Sequence, residues 1–171
     1  MKLPFQNTYW VIEGKLMAGM YPGGFSETSI LNRMQDLTDL GIRSLINLTD
    51  PEEEINYFTI IYNKFCERFE EIYCKDIFHT RFNIKDMSIP TKDLMKQVLD
   101  KIDEDINNGY PVYLHCIGGT GRTGTVVGCY MLRHNMVSKD NIFGKIQLLR
   151  GDGKESPETA EQRQFVLNWD E

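Results

Sequence analysis

The sequence predicts an α/β fold, with a mostly parallel central sheet flanked by helices, on three observations. Short apolar runs at 42–48, 78–84 and 110–115 alternate with longer segments whose apolar positions recur at helical spacing. That alternation of strand and helix is the pattern of crossover connections between parallel strands. A glycine-rich stretch from Cys116 to Gly124 follows the last apolar run directly, at the carboxyl end of a strand, where open α/β sheets bind ligands.

Taken in order, a strand is expected over 9–17, with Gly19 and Tyr21-Pro22-Gly23-Gly24 turning the chain after it. Ser26 is placed to cap a helix carrying Ile30, Leu31, Met34, Leu37 and Leu40, and Gly41 suits its stop. Residues 42–48 form the next strand. Asp50-Pro51 reads as a helix start, a carboxylate cap followed by proline in the first turn, continuing through Tyr57, Ile60, Ile61 and Phe65. Residues 78–84 alternate as a strand, and 85–90 leave its end as a loop. Thr91 caps a helix carrying Leu94, Val98, Leu99, Ile102 and Ile106, which Gly109 ends. The strand at 110–115 enters the glycine-rich loop. Helices follow near 122–134, 139–149 and 157–169, the last with Ser156 as cap and Pro157 at its first position.

Length and composition narrow the function classes. The 171 residues suit a single domain over 1–171, and 41% apolar with 26% charged residues is ordinary for a globular protein. No apolar run reaches the ~18 residues of a membrane span, and the first residues lack a signal-peptide pattern, so a cytoplasmic location is expected. A net charge of −6 offers no electrostatic footprint for nucleic acid or an anionic membrane. Cys66, Cys74, Cys116 and Cys129 show neither a paired nor a zinc-binding spacing, and no cofactor is expected. Cys66, Cys74 and Cys129 read as small, buried, reduced side chains.

Cys116 is different because of where it stands. The segment Val112-Tyr113-Leu114-His115-Cys116-Ile117-Gly118-Gly119-Thr120-Gly121-Arg122-Thr123-Gly124 runs from an apolar strand through a tight turn into a helix. Glycines there let successive backbone N–H groups converge on one point, and the positive end of the following helix faces the same point. Both effects favour an anion, whether a thiolate on Cys116 or a bound phosphate. Arg122 adds a planar fork of donors that matches two phosphoryl oxygens. Thiolate and guanidinium together make a phosphoryl-transfer site that needs no metal, since positioning and charge stabilisation are what the transition state requires. The competing ATPase-type phosphate loop requires Gly-Lys-Ser/Thr, and no lysine occurs here.

His115 to Gly124, a His-Cys-x5-Arg-Thr-Gly string, resembles the signature of cysteine-dependent protein-tyrosine/dual-specificity phosphatases, closest to the compact dual-specificity branch. The resemblance implies the (phosphotyrosine protein phosphatase)-like fold and a phosphocysteine intermediate on Cys116. It implies phosphate held by Arg122 and the backbone amides of Ile117, Gly118, Gly119, Thr120, Gly121 and the residues up to Thr123. It also implies that the Thr123 hydroxyl eases departure of the thiolate and that His115 buttresses the loop. The segment from Trp10 to Gly24 is similar to the opening of small bacterial members.

Ester cleavage needs an acid for the departing oxygen. Asp86 is the candidate: it lies in a loop after a strand, and Asp-x-x-x-Pro resembles the family's acid loop. Asp93 and Asp76 are alternatives, Asp93 being accounted for by a helix N-terminus alone. Ser156 to Phe165 resembles the family's late glutamine motif and places Gln162 where a side-chain amide orients the hydrolytic water, although an exposed helical glutamine without a role fits the same spacing. Expected substrates are phosphorylated proteins or small phosphomonoesters, with phosphotyrosine and phosphoserine/threonine favoured. The chain lacks pocket-deepening segments, and residues 117–120 carry no lysine. Alternatives are an inositol phosphate, lipid or RNA 5′-phosphatase, a sulfur- or arsenate-handling enzyme, and a non-catalytic phosphate-binding module.

Overall fold

The computed structural model describes residues 3–23, 26–53 and 77–171. Its centre is a five-stranded sheet of β1 (Thr8–Ile12), β2 (Leu16–Gly19), β3 (Ser44–Asn47), β4 (Phe78–Arg81) and β5 (Val112–His115), in the order β1-β2-β5-β3-β4. Pairings β2–β5, β5–β3 and β3–β4 are parallel, and only β1 runs antiparallel. The mostly parallel sheet expected from the strand–helix alternation is therefore present.

One of the expected strands is two. The run 9–17 is a hairpin, with a turn in which Lys15 N–H donates to Ile12 C=O at 3.0 Å and Gly14 sits at φ 69°. Apolar residues on both sides of that turn disguised it, and Gly14 was the signal that marked it.

Side-chain alternation sorts the sheet into two apolar layers. Met17, Leu45 and Tyr113 point to one face, where α1 (Glu27–Asp39) covers them with Ile30, Leu31, Met34 and Leu37. Leu16, Ala18, Ile46, Val112 and Leu114 point to the other. There they meet α2 (Lys92–Asn107), α3 (Gly121–Arg133), α4 (Ile142–Arg150) and α5 (Ala160–Leu167). Helix starts follow the expected chemistry where a hydroxyl is free to cap. Ser26 and Ser29 form a reciprocal capping box on α1, and Thr91 Oγ1 accepts from Leu94 N–H at 3.1 Å on α2.

The last helix departs from expectation. Ser156 does not cap it, because its hydroxyl donates to Thr120 C=O at 2.7 Å. The helix begins three residues later, where Thr159 and Gln162 supply a capping box. At Asp50-Pro51 the chain forms a 3-10 turn, Pro51–Glu53. The expected continuation through Tyr57, Ile60, Ile61 and Phe65 lies outside the described residues, as do Cys66, Cys74 and Asp76. The segment expected as one helix over 139–149 is a 3-10 turn, Lys139–Asn141, followed by α4. Among the described residues no helix is long and apolar enough to cross a membrane.

Helices α3 and α5 touch at Gly128, where an added Cβ would stand 2.8 and 3.0 Å from the Val166 methyls. Val166 is fully buried and stiff at χ1, so it cannot swing aside. Gly128→Ala gains about 1 kcal/mol of helix propensity but meets an overpacking cost of about 1–3 kcal/mol. We expect a net loss of up to about 2 kcal/mol by urea denaturation. A stabilised variant would show that α5 yields at this contact.

Candidate active site

β5 lies in the middle of the sheet, and its chain leaves the carboxyl edge at Cys116 and re-enters the fold at the first turn of α3. Between Cys116 and Gly121 each carbonyl has a polar group beside it. The His115 ring reaches Cys116 C=O with Nδ1 at 3.4 Å, and Tyr21 N–H donates to Ile117 C=O at 3.0 Å. Thr120 Oγ1 donates to Gly118 C=O, an Arg150 guanidinium N–H to Gly119 C=O, Ser156 Oγ to Thr120 C=O, and Thr125 Oγ1 to Gly121 C=O. Carbonyls held on one side leave the amide side of the turn toward Cys116. Gly119 N–H donates to its Sγ at 3.3 Å.

Gly119 cannot be another residue. It sits at φ 69°, and a Cβ there would fall 2.4 Å from Gly19 C and 2.5 Å from Met20 N, where the chain leaving β2 crosses the turn. Cys116 itself is buried, while Ile117 is 42% exposed at the rim.

Arg122 is 2% exposed, and its guanidinium gathers four acceptor atoms from two segments, the turn after β3 and the exit from β4. One terminal nitrogen donates to Glu53 Oε1 at 2.7 Å and to Ile84 C=O at 2.9 Å. The other donates to Glu53 Oε2 at 2.8 Å and lies 2.9 Å from Asp86 Oδ1. Burial opposes the charge on Arg122, but Glu53, Cys116 and Asp86 outweigh it and leave the guanidinium more firmly protonated than usual. Burial likewise pushes the Glu53 carboxyl up, and Arg122 more than reverses this, holding it below the usual carboxylate range. Sequence reasoning missed Glu53. It stands 69 residues from Arg122, in a run of three glutamates that no spacing rule singles out.

Asp86, the expected acid, is thus beside Arg122, with a side chain 64% exposed. Met87 next to it is 50% exposed, at φ 60°. Asp93 is exposed in the first turn of α2.

His115 is fully buried, with its ring against those of Tyr113 and Tyr21 at centroid distances of 5.7 and 5.5 Å. Burial, with neighbouring His79, Arg81 and Arg122, pushes its pKa down to about 3, so the ring is neutral at physiological pH. Thr123 is fully buried, and its hydroxyl has no hydrogen-bond partner among the described residues.

Gln162 is also fully buried, which removes the alternative of an exposed residue. Its Oε1 accepts from Thr159 N–H at 3.1 Å, and its Nε2 donates to Ser88 C=O at 3.1 Å. It ties the start of α5 to the loop that carries Asp86.

Arg150, at the end of α4, was not singled out by sequence because a basic residue there is ordinary complement to a helix C-terminus. The structure buries it behind the turn. Among the described residues, no group of three or more His, Cys, Asp or Glu side chains is arranged to hold a metal ion.

The family described as "Polymorphic toxin system, DSP-PTPase phosphatase" matches residues 18–136, and the chain belongs to it. It is 24% identical over 115 residues to the phosphatidylglycerophosphate phosphatase PTPMT1 of Arabidopsis thaliana, covering 67% of this chain and 31% of that one. It is 30% identical over 82 residues to the dual specificity protein phosphatase CDC14B of Mus musculus, covering 48% of this chain and 16% of that one. Less than a third of either relative's length is therefore matched. A crystal structure of kinase associated phosphatase, with its catalytic cysteine substituted by serine, superposes with a TM-score of 0.73 at 18% identity, covering 97% of this chain and 94% of the other. The fold is that of the protein-tyrosine phosphatases, and the family is the DSP-PTPase phosphatase family.

Two outcomes test the site's electrostatics. Glu53→Gln removes the carboxylate that faces a buried guanidinium. A fully buried pair broken on one side loses about 3–5 kcal/mol, but Glu53 is partly exposed and Asp86 remains, so about 1–2 kcal/mol is expected by chemical denaturation. No loss would mean that solvent already screens the pair. His115 contributes through pH. The folded protein keeps it neutral to about pH 3, whereas an unfolded chain protonates it near 6.5. Its contribution is complete above pH 6.5 and is lost as pH falls toward 3, by up to about 1.4 kcal/mol per pH unit. Urea midpoints of His115→Gln between pH 7 and 4.5 should fall less steeply than those of wild type; equal slopes would mean the ring is not held neutral.

Proposed function

We propose that the protein hydrolyses phosphomonoesters of protein tyrosine, and of serine and threonine, through a phosphocysteine on Cys116. The observation that carries this reading is the meeting of Asp86 and Arg122 from distant loops, together with a glycine turn whose Gly119 N–H already points at the Cys116 sulfur.

In the first step the Cys116 thiolate attacks phosphorus, while two of the three phosphoryl oxygens lie against Arg122 and the third against the amides of 117–123. The P–O ester bond breaks as Asp86 gives its proton to the departing oxygen. In the second step Asp86, now a carboxylate, takes a proton from water as the water oxygen attacks phosphorus. The S–P bond breaks, the thiolate returns with the Thr123 hydroxyl beside it, and inorganic phosphate leaves. Gln162 orients that water; in the free protein its Nε2 is on Ser88 C=O, so this role exchanges that bond for one to water. His115 keeps the loop's first peptide in place.

The substrate preference rests on the rim. Residues 117–120 carry no lysine, and the exposed Ile117 and Met87 side chains offer apolar surface beside the phosphate position. An aryl ester suits that surface better than a polyanionic inositol. A lipid phosphate is the second reading, favoured by the similarity to PTPMT1 and by the same apolar rim.

Hydrolysis of an aryl phosphate, with chelator and reductant present across pH 5 to 8, should be abolished in Cys116→Ser. In Asp86→Asn it should fall about 10²–10⁴-fold, with vanadate bound at least as tightly as by wild type, because the carboxylate beside Arg122 is gone. Turnover surviving in Cys116→Ser would remove that residue as nucleophile. A panel of phosphopeptides and phosphatidylglycerophosphate vesicles, run on wild type, then separates protein from lipid preference.

A further inference from the structure

Among the described residues, Arg150 is the one buried cation near the turn that faces away from the phosphate position. Its residue is 6% exposed, and its side chain is 1% exposed. One terminal nitrogen donates to Gly119 C=O, and the other donates to Asp152 Oδ2 at 2.5 Å and reaches Thr120 Oγ1 at 3.3 Å. Its Nε donates to Asp152 Oδ1 at 3.3 Å, so Asp152 grips two edges of the fork and fixes its plane. The guanidinium carbon lies 5.7 Å from the centroid of the buried Tyr9 ring, which supports it from below. Arg150 pulls the Asp152 carboxyl below its usual range, against the upward push of burial, so the pair is ionised.

Gly119 C=O and Thr120 N–H belong to one peptide unit. A charged donor on the oxygen draws density from the nitrogen and strengthens the opposite N–H as a donor. The same bond fixes the peptide's rotation at Gly119, which has no side chain of its own to hold it. The neighbouring peptide is held by Ser156, whose hydroxyl reaches Thr120 C=O through the space left by Gly124; a Cβ on Gly124 would lie 2.0 Å from that oxygen.

We propose that Arg150, oriented by Asp152, is a positioning residue that locks the Gly119–Thr120 peptide with its N–H toward the transferred phosphoryl group. This rests on the reading of the turn as a phosphoryl site. Its contribution is to the transition state, where charge on the equatorial oxygens meets amides that no longer need to reorient. Arg150 touches no substrate atom.

The test compares wild type, Arg150→Met, Arg150→Lys and Asp152→Asn for aryl phosphate kinetics, with thermal melting of each. Inorganic phosphate affinity is measured by calorimetry on the same set carrying Cys116→Ser. Arg150→Met should lower kcat about 100-fold with a smaller change in KM, and weaken phosphate binding about tenfold while the chain remains folded at the assay temperature. Arg150→Lys keeps the charge but loses the fork and should recover only part of the loss. Asp152→Asn should fall between. Should Arg150→Met not fold, the last two variants carry the test alone. Wild-type kinetics and phosphate affinity in folded Arg150→Met would overturn the proposal, as would full recovery in Arg150→Lys, which would assign the effect to charge and not to orientation. If the parent Cys116→Ser protein itself binds no phosphate and the wild type has no turnover, it is the phosphoryl-site reading that fails.

Discussion

The architecture turns on one constraint: a strand buried in the middle of a parallel sheet must become, within a few residues, a helix packed on the same sheet. β5 has neighbours on both edges and a core layer on both faces, so its exit has nowhere to go but the carboxyl edge. A turn that tight leaves several peptide units without partners in any helix or ladder, and each must be satisfied. This protein settles the carbonyl half with donors from β5, the β2 exit, α3, α4 and the segment before α5. On the amide side, Gly119 N–H turns toward the Cys116 sulfur. The geometry around Cys116 is thus a by-product of hydrogen-bond satisfaction in a turn that the topology forces.

A second consequence is that the site draws on the whole carboxyl edge. The 3-10 turn after β3 brings Glu53, the exit from β4 brings Ile84 and Asp86, and the start of α5 brings Gln162. Arg122 is where the first two converge, and Gln162 links the acid loop to the last helix. Arg122 and Gln162 are anchored in helices packed on the core, and Ile84 is itself buried, which helps hold side chains far apart in the chain to within hydrogen-bonding distance.

Sequence revealed what is local. The turn, its cysteine and arginine, the capped starts of α1 and α2, and an acid on the loop after β4 all carry signals within a few residues of themselves. What escaped is set through space. Glu53 and Arg150 find their partners 69 and 31 residues away, and a charged residue at a helix end or in an acidic run looks the same whether it is solvated or buried. The β1–β2 hairpin was hidden because both strands are apolar and its turn rests on a single glycine. Ser156 was a plausible cap by propensity, but a tertiary acceptor, Thr120 C=O, claimed its hydroxyl first.

The carboxylate of Asp86 beside Arg122 is a built-in competitor for any anion that approaches the guanidinium. Glu53 and Ile84 C=O accept three protons of the two terminal nitrogens of Arg122, and Asp86 Oδ1 lies 2.9 Å from one of these nitrogens, so an incoming anion is weighed against a carboxylate tethered in place, not against water. A monoanion of similar basicity has little advantage in that exchange. A dianion able to span the guanidinium and the turn's amides together has a large one. The terms of that exchange are set by one exposed side chain on the loop after β4, and they do not depend on the shape of the rim.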